Sequence, residues 1–478
     1  MRNPWKLGAG LLLLVAASAL GLKMHGVRSS KAVTGIDSGS FTAEAASPAG
    51  MQWSGESVSL AELDSRAAAN ASQGVTAQVL FAKQYSALSA QASATAALQY
   101  TFPVRYPIDH YAGAVAIGDL DGDGQNEVVV AYSLVNEDGR LDVYRRVPTG
   151  LALSQTYNLG AKYSSFFGGI AIGDLNEDGK ADVAVAMQTG IGLLVSRGAS
   201  HVATLVPDNW SVTQLGMMDV NRDGHLDIVS LHWGDIMGGV MPNATRLYFG
   251  DGAGGFTGIQ DMATSQRGRN DLKIGDVTSD GIPDLVITSA QAFDFWVIAH
   301  DGVSGFKPGV AYPRPSTWGV QSAAIADVDH DGNNEVIIAT GGNVPNTAIW
   351  IYPQQNGVLG APTRVYTSDL PTTMLGQDLD GDGRDDVAVM HEGELGIYLQ
   401  NGQGILQPEI YARAVGYGAF GADDYNRQGV AAADITGDGC PDVAIGDYNW
   451  GLVIIEGMNC APPRSAVTGG NLPADPMN

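Results

Sequence analysis

The chain has 478 residues and a formal net charge of −25, with 51 acidic against 26 basic side chains. No basic stripe accompanies that acidity, which excludes nucleic-acid binding. The length fits two to four domains or one large repeat domain.

Met1 to Lys6 is short and basic, and an apolar run from Leu7 to Leu22 follows it, with Ala17-Ser18-Ala19 as a small-residue cleavage site. Residues 1–22 therefore read as a signal peptide, or as an uncleaved membrane anchor, the only route to a membrane in this chain. Export, to a secreted, periplasmic or cell-surface location, is the expectation. Residues 23–98 are rich in Ala and Ser and read as a spacer with short helices, one opening at the capping box Ser59 to Glu62. Residues 461–478 are Pro- and Gly-rich and read as a disordered tail.

Between them, at 99–460, one acidic loop recurs seven times, starting at intervals of 45 to 57 residues. Such a period marks a repeat architecture. The first copy holds Asp119, Asp121, Asp123, Gln125 and Glu127 at positions 1, 3, 5, 7 and 9. The second holds Asp174, Asn176, Asp178, Lys180 and Asp182, and the third Asp219, Asn221, Asp223, His225 and Asp227. Then come Asp276, Thr278, Asp280, Ile282 and Asp284, followed by Asp327, Asp329, Asp331, Asn333 and Glu335. The last two are Asp378, Asp380, Asp382, Arg384 and Asp386, and Asp434, Thr436, Asp438, Cys440 and Asp442.

Oxygen-bearing side chains at alternate positions can aim at one centre. Gly at position 6 permits a turn with positive φ, the acid at 9 closes the shell, and a main-chain carbonyl at 7 adds a ligand. Hard oxygen donors at this charge density suit Ca²⁺, with up to seven ions, which would cancel 14 of the 25 excess negative charges. The loops led by Asp119, Asp327 and Asp378 are fully acidic. Thr278 and Thr436 are poorer donors, so their loops are expected to bind most weakly.

The flanks of the loops are short, β-branched and turn-bounded, as in Ala114-Val-Ala-Ile before the first and Val128-Val-Val-Ala after it. They read as strands A and B. Strand C ends in a Gly-rich turn and strand D follows, giving four strands per repeat. A strand D at Gln99 to Ile108 precedes the first repeat, and none follows the last strand C, Gly451 to Glu456. The orphan strand and the vacancy predict a closed ring in which the N-terminal strand completes the last blade, an all-β seven-bladed β-propeller.

These loops, with Phe167-Gly168 and Phe420-Gly421 ahead of two strands A, resemble FG-GAP/VCBS-type repeats. The likeness covers about 99–460 and implies the calcium-loop blades of the integrin α-subunit propeller and of secreted bacterial repeat proteins. A loop in every blade places the chain nearer the bacterial group.

In such a ring the A–B and C–D loops share one face, and the B–C and D–A loops form the other. On that free face the ligand candidates are His232, Trp233, Asp235, His391 and Trp450, since exposed aromatics beside acids suit a glycan or protein partner. Two functions follow: a monomeric, secreted or surface binding and adhesion scaffold for such a ligand, or a calcium-dependent, lyase-like polysaccharide-degrading enzyme. A lyase needs a base and a cationic clamp, and this face is poor in Lys and Arg, which favours the scaffold. Cys440 and Cys460 are the two cysteines, and in an exported chain such a pair is usually bridged, the alternative being two buried thiols.

Overall fold

The computed structural model describes residues 99–460 apart from 109–110, 134–137, 164–167, 233–243, 264–268, 290–293, 315, 317–318, 342–346, 356, 369, 392–393 and 413–427. The signal segment, the spacer and the tail lie outside the described residues. No helix occurs among those described, and none is long and apolar enough to cross a membrane.

The described residues form seven four-stranded antiparallel sheets. Blade 1 comprises Tyr111–Gly118, Glu127–Ser133, Gly139–Val147 and Gly150–Asn158 as strands A to D. Blade 2 comprises Ile170–Gly173, Asp182–Met187, Gly190–Arg197 and Ser200–Pro207. Blade 3 has Val212–Met218, Asp227–His232, Ala244–Gly250 and Phe256–Ala263, and blade 4 has Arg269–Gly275, Asp284–Ser289, Asp294–Ile298 and Val310–Pro313. Blade 5 has Val320–Ala326, Glu335–Thr340, Ala348–Tyr352 and Thr363–Val365, and blade 6 has Thr373–Gln377, Asp386–His391, Glu394–Tyr398 and Ile410–Ala412.

Blade 7 takes Val430–Ala433, Asp442–Asp447 and Gly451–Ile455 from the C-terminal end and its fourth strand, Val104–Tyr106, from the N-terminal end. The ring is therefore a seven-bladed β-propeller closed by the N-terminal strand. One feature of the closure is absent from the strand pattern. Gln99–Tyr100 also pairs with Gly457–Met458, so the first and last described stretches of the propeller meet in a second, two-stranded clasp. Thr101 N–H donates to the Glu456 carbonyl at 2.9 Å beside it.

Strand B is buried along its whole length in blades 2, 3, 5, 6 and 7. This explains why Val, Ile and Ala follow its first acid with no apolar–polar alternation in most blades, because blades stack on both of its faces. The seam between the last blade and the first is an apolar core like the others, joining Val115, Val128 and Val130 to Ile435, Ala444 and Leu452. Burial of this kind, at ~25 cal/mol per Å², holds the ring shut.

Candidate metal centres

Each acidic loop hangs from the core by position 2. Leu120, Leu175, Val220, Val277, Val328, Leu379 and Ile435 are all 3% exposed or less. That anchor brings the position 2 N–H to the acid at 9, which accepts it in all seven loops at 2.8–3.0 Å. Position 1 accepts the Gly N–H of position 6 through one oxygen, again in all seven, at 2.8–3.0 Å. Position 5 accepts the N–H of position 7 in every copy, from Gln125 to Cys440. The result is one backbone frame repeated seven times, with the acids turned inward.

Position 6 is left-handed in every loop, as the glycines require (φ 81° to 94°). Position 4 is left-handed too, and sequence reasoning missed it because no single residue type marks it. Gly122, Gly381 and Gly437 adopt that conformation at little cost, whereas Glu177, Arg222, Ser279 and His330 hold it at φ 57° to 61° against their side chains.

The acid at position 9 does more than close a shell. Asp182, Asp227, Asp284, Asp386 and Asp442 are each 0% exposed. The second oxygen of each accepts an N–H from the end of strand C: Ser196, Gly250, His300, Gln400 and Gly457, at 2.7–2.9 Å. These aspartates tie loop to blade. Where position 9 is Glu the longer side chain behaves differently. Glu335 is 1% exposed, and its Oε1 is buried with no hydrogen-bond partner.

Three loops bring acids together closely enough to hold one metal ion, with ligand atoms within 4.8 Å of one another: Asp119, Asp121 and Glu127; Asp327, Asp329 and Glu335; Asp378, Asp380 and Asp386. These are the three fully acidic loops. Burial and, after it, neighbouring carboxylates push the position 9 acids up, Glu335 to about 7 with Asp329 beside it, Asp386 to about 7 and Glu127 to about 6. Like charges crowded together out of water are costly unless a cation or protons neutralise them. The unsatisfied Glu335 Oε1 shows that blade 5 fits a cation, because the donor set is complete in carboxylates and one oxygen lacks a partner. In blade 1 a side chain supplies positive charge, since Arg145 Nη1 lies 2.7 Å from Asp121 Oδ2. In blade 6 Arg384 pairs with Asp382.

In the other four loops position 3 is an amide or hydroxyl. Asn176 and Asn221 lie beside Asp178 and Asp223, while Thr278 stands in its loop with Asp280, and the Thr436 hydroxyl is buried without a partner beside Asp438. Neighbouring loops are also joined. Asn126 donates to the Asp434 carbonyl at 2.9 Å, Asn334 to that of Asp276 at 2.8 Å, and Ala181 N–H to that of Asp119 at 2.8 Å. In blades 1, 2 and 5 position 8 thus links a loop to the preceding blade, a role that the loop pattern alone does not mark.

The candidates for the other face are placed differently from each other. His232 and His391 are not loop residues. Each ends strand B and is 1% exposed. His232 Nε2 meets Ser230 Oγ at 2.8 Å, and its ring packs edge-on to Trp210. His391 Nε2 meets Glu409 Oε1 at 2.5 Å and Thr367 Oγ1 at 3.2 Å, in a space that Gly396 leaves open. Each is the last residue of strand B and is covered by its own blade and the segment that enters it: Trp210 over His232, and Glu409 with Thr367 over His391. Trp450 is half-buried in the B–C turn of blade 7 with the Arg105 guanidinium over its ring. Trp233 and Asp235 lie outside the described residues. Sequence reasoning also missed Asp208 on this side, which joins Arg246 at 2.6 Å and the hydroxyl of Tyr248. Cys440 and Cys460 are joined by a disulfide, so Cys440 serves both the seventh loop and the cross-link that follows it.

The model of the FG-GAP-like repeat matches residues 119–185, 219–287, 276–338 and 378–445, together more than half of the chain. The chain belongs to the FG-GAP-like repeat family. Each matched stretch begins at position 1 of an acidic loop. A search of curated protein sequences returned no match. Among solved structures, an Agrocybe aegerita lectin described as recognising non-reducing terminal N-acetylglucosamine is 18% identical, with a TM-score of 0.45, over 75% of this chain and 94% of that one. A Bacillus licheniformis rhamnogalacturonan lyase is 16% identical, TM-score 0.46, over 76% and 75%. BBS1N, solved in complex with ARL6DN, is 12% identical, TM-score 0.49, over 77% and 98%. At these identities and scores the likeness extends to neither ligand nor chemistry.

Proposed function

We propose that this FG-GAP-like propeller is an exported scaffold, stiffened by Ca²⁺ in its acidic loops, that binds a glycan or a protein through the face opposite them. The observation that carries the calcium part is the buried, unpartnered Oε1 of Glu335 in a cluster of three carboxylates. Oxygen-only donors favour Ca²⁺ over softer transition metals. Calcium at extracellular levels suits loops of this kind, whose affinities in extracellular modules are ~10⁻⁴–10⁻³ M.

A binder is favoured over a polysaccharide lyase by the two histidines. A base must reach the proton it removes, and His232 and His391 are each 1% exposed. The arrangement that speaks for chemistry is the Glu409–His391 contact, which orients the ring and leaves Nδ1 without a partner. The two readings separate in one pair of experiments on the exported chain with calcium present. Glycan-array binding without cleavage of uronate polymers supports the scaffold. Cleavage that His391→Ala or His232→Ala abolishes, with the melting temperature unchanged, establishes the enzyme.

A further inference from the structure

Arg145 sets blade 1 apart. Extending the B–C register by one pair sets one residue, at or just past the end of strand C, opposite the acid at position 9 in every blade. It is Val195, Phe249, Ala299, Pro353, Leu399 or Glu456 elsewhere, and Arg145 in blade 1. Blade 1 alone puts a cation there. Its guanidinium reaches the acids of positions 3 and 9 at once: Nη1 lies 2.7 Å from Asp121 Oδ2 and Nε 3.9 Å from Glu127 Oε1. The blade 5 cluster has the same three acids in the same order, Asp327, Asp329 and Glu335, and among the described residues no ion pair is made to any of them. Two loops with the same acids at positions 1, 3, 5 and 9 thus differ in a resident positive charge.

We propose that Arg145 is a built-in counter-ion that competes with the divalent cation for blade 1, so that blade 5 takes the ion first and blade 1 only at higher concentration. The inference rests on the calcium reading above. Loading blade 1 requires the guanidinium to leave Asp121 and Glu127, and its side chain, 41% exposed, has a path into solvent. The position matters because blade 1 borders the closure seam, where Asn126 holds the Asp434 carbonyl of blade 7. With part of its negative charge offset from within, the loop beside the seam keeps its shape at low calcium, and ring closure does not wait for the ion.

The test is calcium titration of the full chain after chelation, by calorimetry, for the wild type, Arg145→Gln and Glu335→Gln. Removing a positive charge from beside a divalent ion is expected to tighten one site at least ~10-fold in Arg145→Gln. Glu335→Gln should lose one site that is tighter than the blade 1 site. Hydrogen exchange on the wild type reads the same order with no substitution: the Asp331 and Gly332 amides of blade 5 become protected at lower calcium than Asp123 and Gly124 of blade 1. An unchanged isotherm in Arg145→Gln, or protection of both loops at one calcium concentration, overturns the role of Arg145. Absence of bound calcium in all three proteins overturns the calcium reading instead.

Discussion

Replacing Asp227 with Ala separates the two jobs of position 9. The Asp227 carboxylate is 0% exposed and accepts three main-chain N–H groups, from Val220 at 2.8 Å, Asn221 at 3.3 Å and Gly250 at 2.7 Å. A buried donor left without an acceptor costs ~1–3 kcal/mol. Counting the two short bonds fully and the long one little, the loss is ~2–6 kcal/mol, before any cation is considered. That is a large part of the ~5–15 kcal/mol that holds a domain folded.

The pH dependence has a definite sign. Burial raises the Asp227 carboxyl above its ordinary value. A raised value means that the folded chain holds the proton more tightly than the unfolded one. The wild type therefore gains stability as the pH falls towards the unfolded value near ~4, and a variant without the carboxyl does not. The deficit of Asp227→Ala should widen at lower pH. The assay is thermal unfolding in chelator, followed by circular dichroism, with Asp223→Ala as the comparison. Asp223 is exposed and its Oδ1 accepts the His225 N–H at 2.9 Å, so its loss should cost under ~1 kcal/mol without calcium. A fall of at least ~5 °C is expected for Asp227→Ala. If it melts with the wild type in chelator, position 9 is a metal ligand and nothing more, and the argument from its three hydrogen bonds is wrong.

Calcium should stabilise the propeller most at neutral to alkaline pH. Glu335 and Asp386, pushed up to about 7, hold protons in the metal-free fold, and that contribution fades as the pH rises from the unfolded values near ~4 through about 7. Melting curves with and without calcium should therefore converge between pH 8 and pH 5, and a calcium gain that stays constant over that range contradicts the assignment. Gly332→Ala tests the turn itself. Its φ is 89° and nothing lies within 4 Å of an added Cβ, so the expected loss of ~1–2 kcal/mol is purely conformational, and a neutral result in a chemical melt would count against strain at position 6. Cutting the Cys440–Cys460 bridge by Cys460→Ser opens a cross-link of 20 residues next to the terminal clasp, at a cost of ~3 kcal/mol. Unfolding should then begin at the seam, and hydrogen exchange at Tyr100 and Gly457 is the measurement. Protection there equal to that of the intact protein would show that the clasp is independent of the bridge.

Much of this architecture was legible in the chain. Seven acidic loops at a regular period announced seven blades, and a strand D before the first repeat, with none after the last, announced how the ring closes. The three loops with acids at positions 1, 3 and 9 are the three in which the structure gathers acids around one point. All of these signals are local, because spacing within nine residues sets what a turn can aim at, and strand pattern sets what a sheet can bury.

Most of what the sequence left open depends on partners distant along the chain. His232 and His391 read as loop residues, yet each ends a strand and is covered by residues 18 to 24 positions away, Trp210 (22 away) for the first and Glu409 (18) and Thr367 (24) for the second. Position 4 is left-handed in every loop although four of its residues have a side chain, because the backbone bonds to positions 1 and 9 impose it. Arg145 lies 24 residues beyond Asp121 along the chain and reaches it only because strand C folds back in one register. The repeat thus determined the ring and the frame of every loop. Strand register and blade contact, which bring remote residues within hydrogen-bond reach, decided which acids are tied to the backbone, which meet an arginine and which are left for a metal.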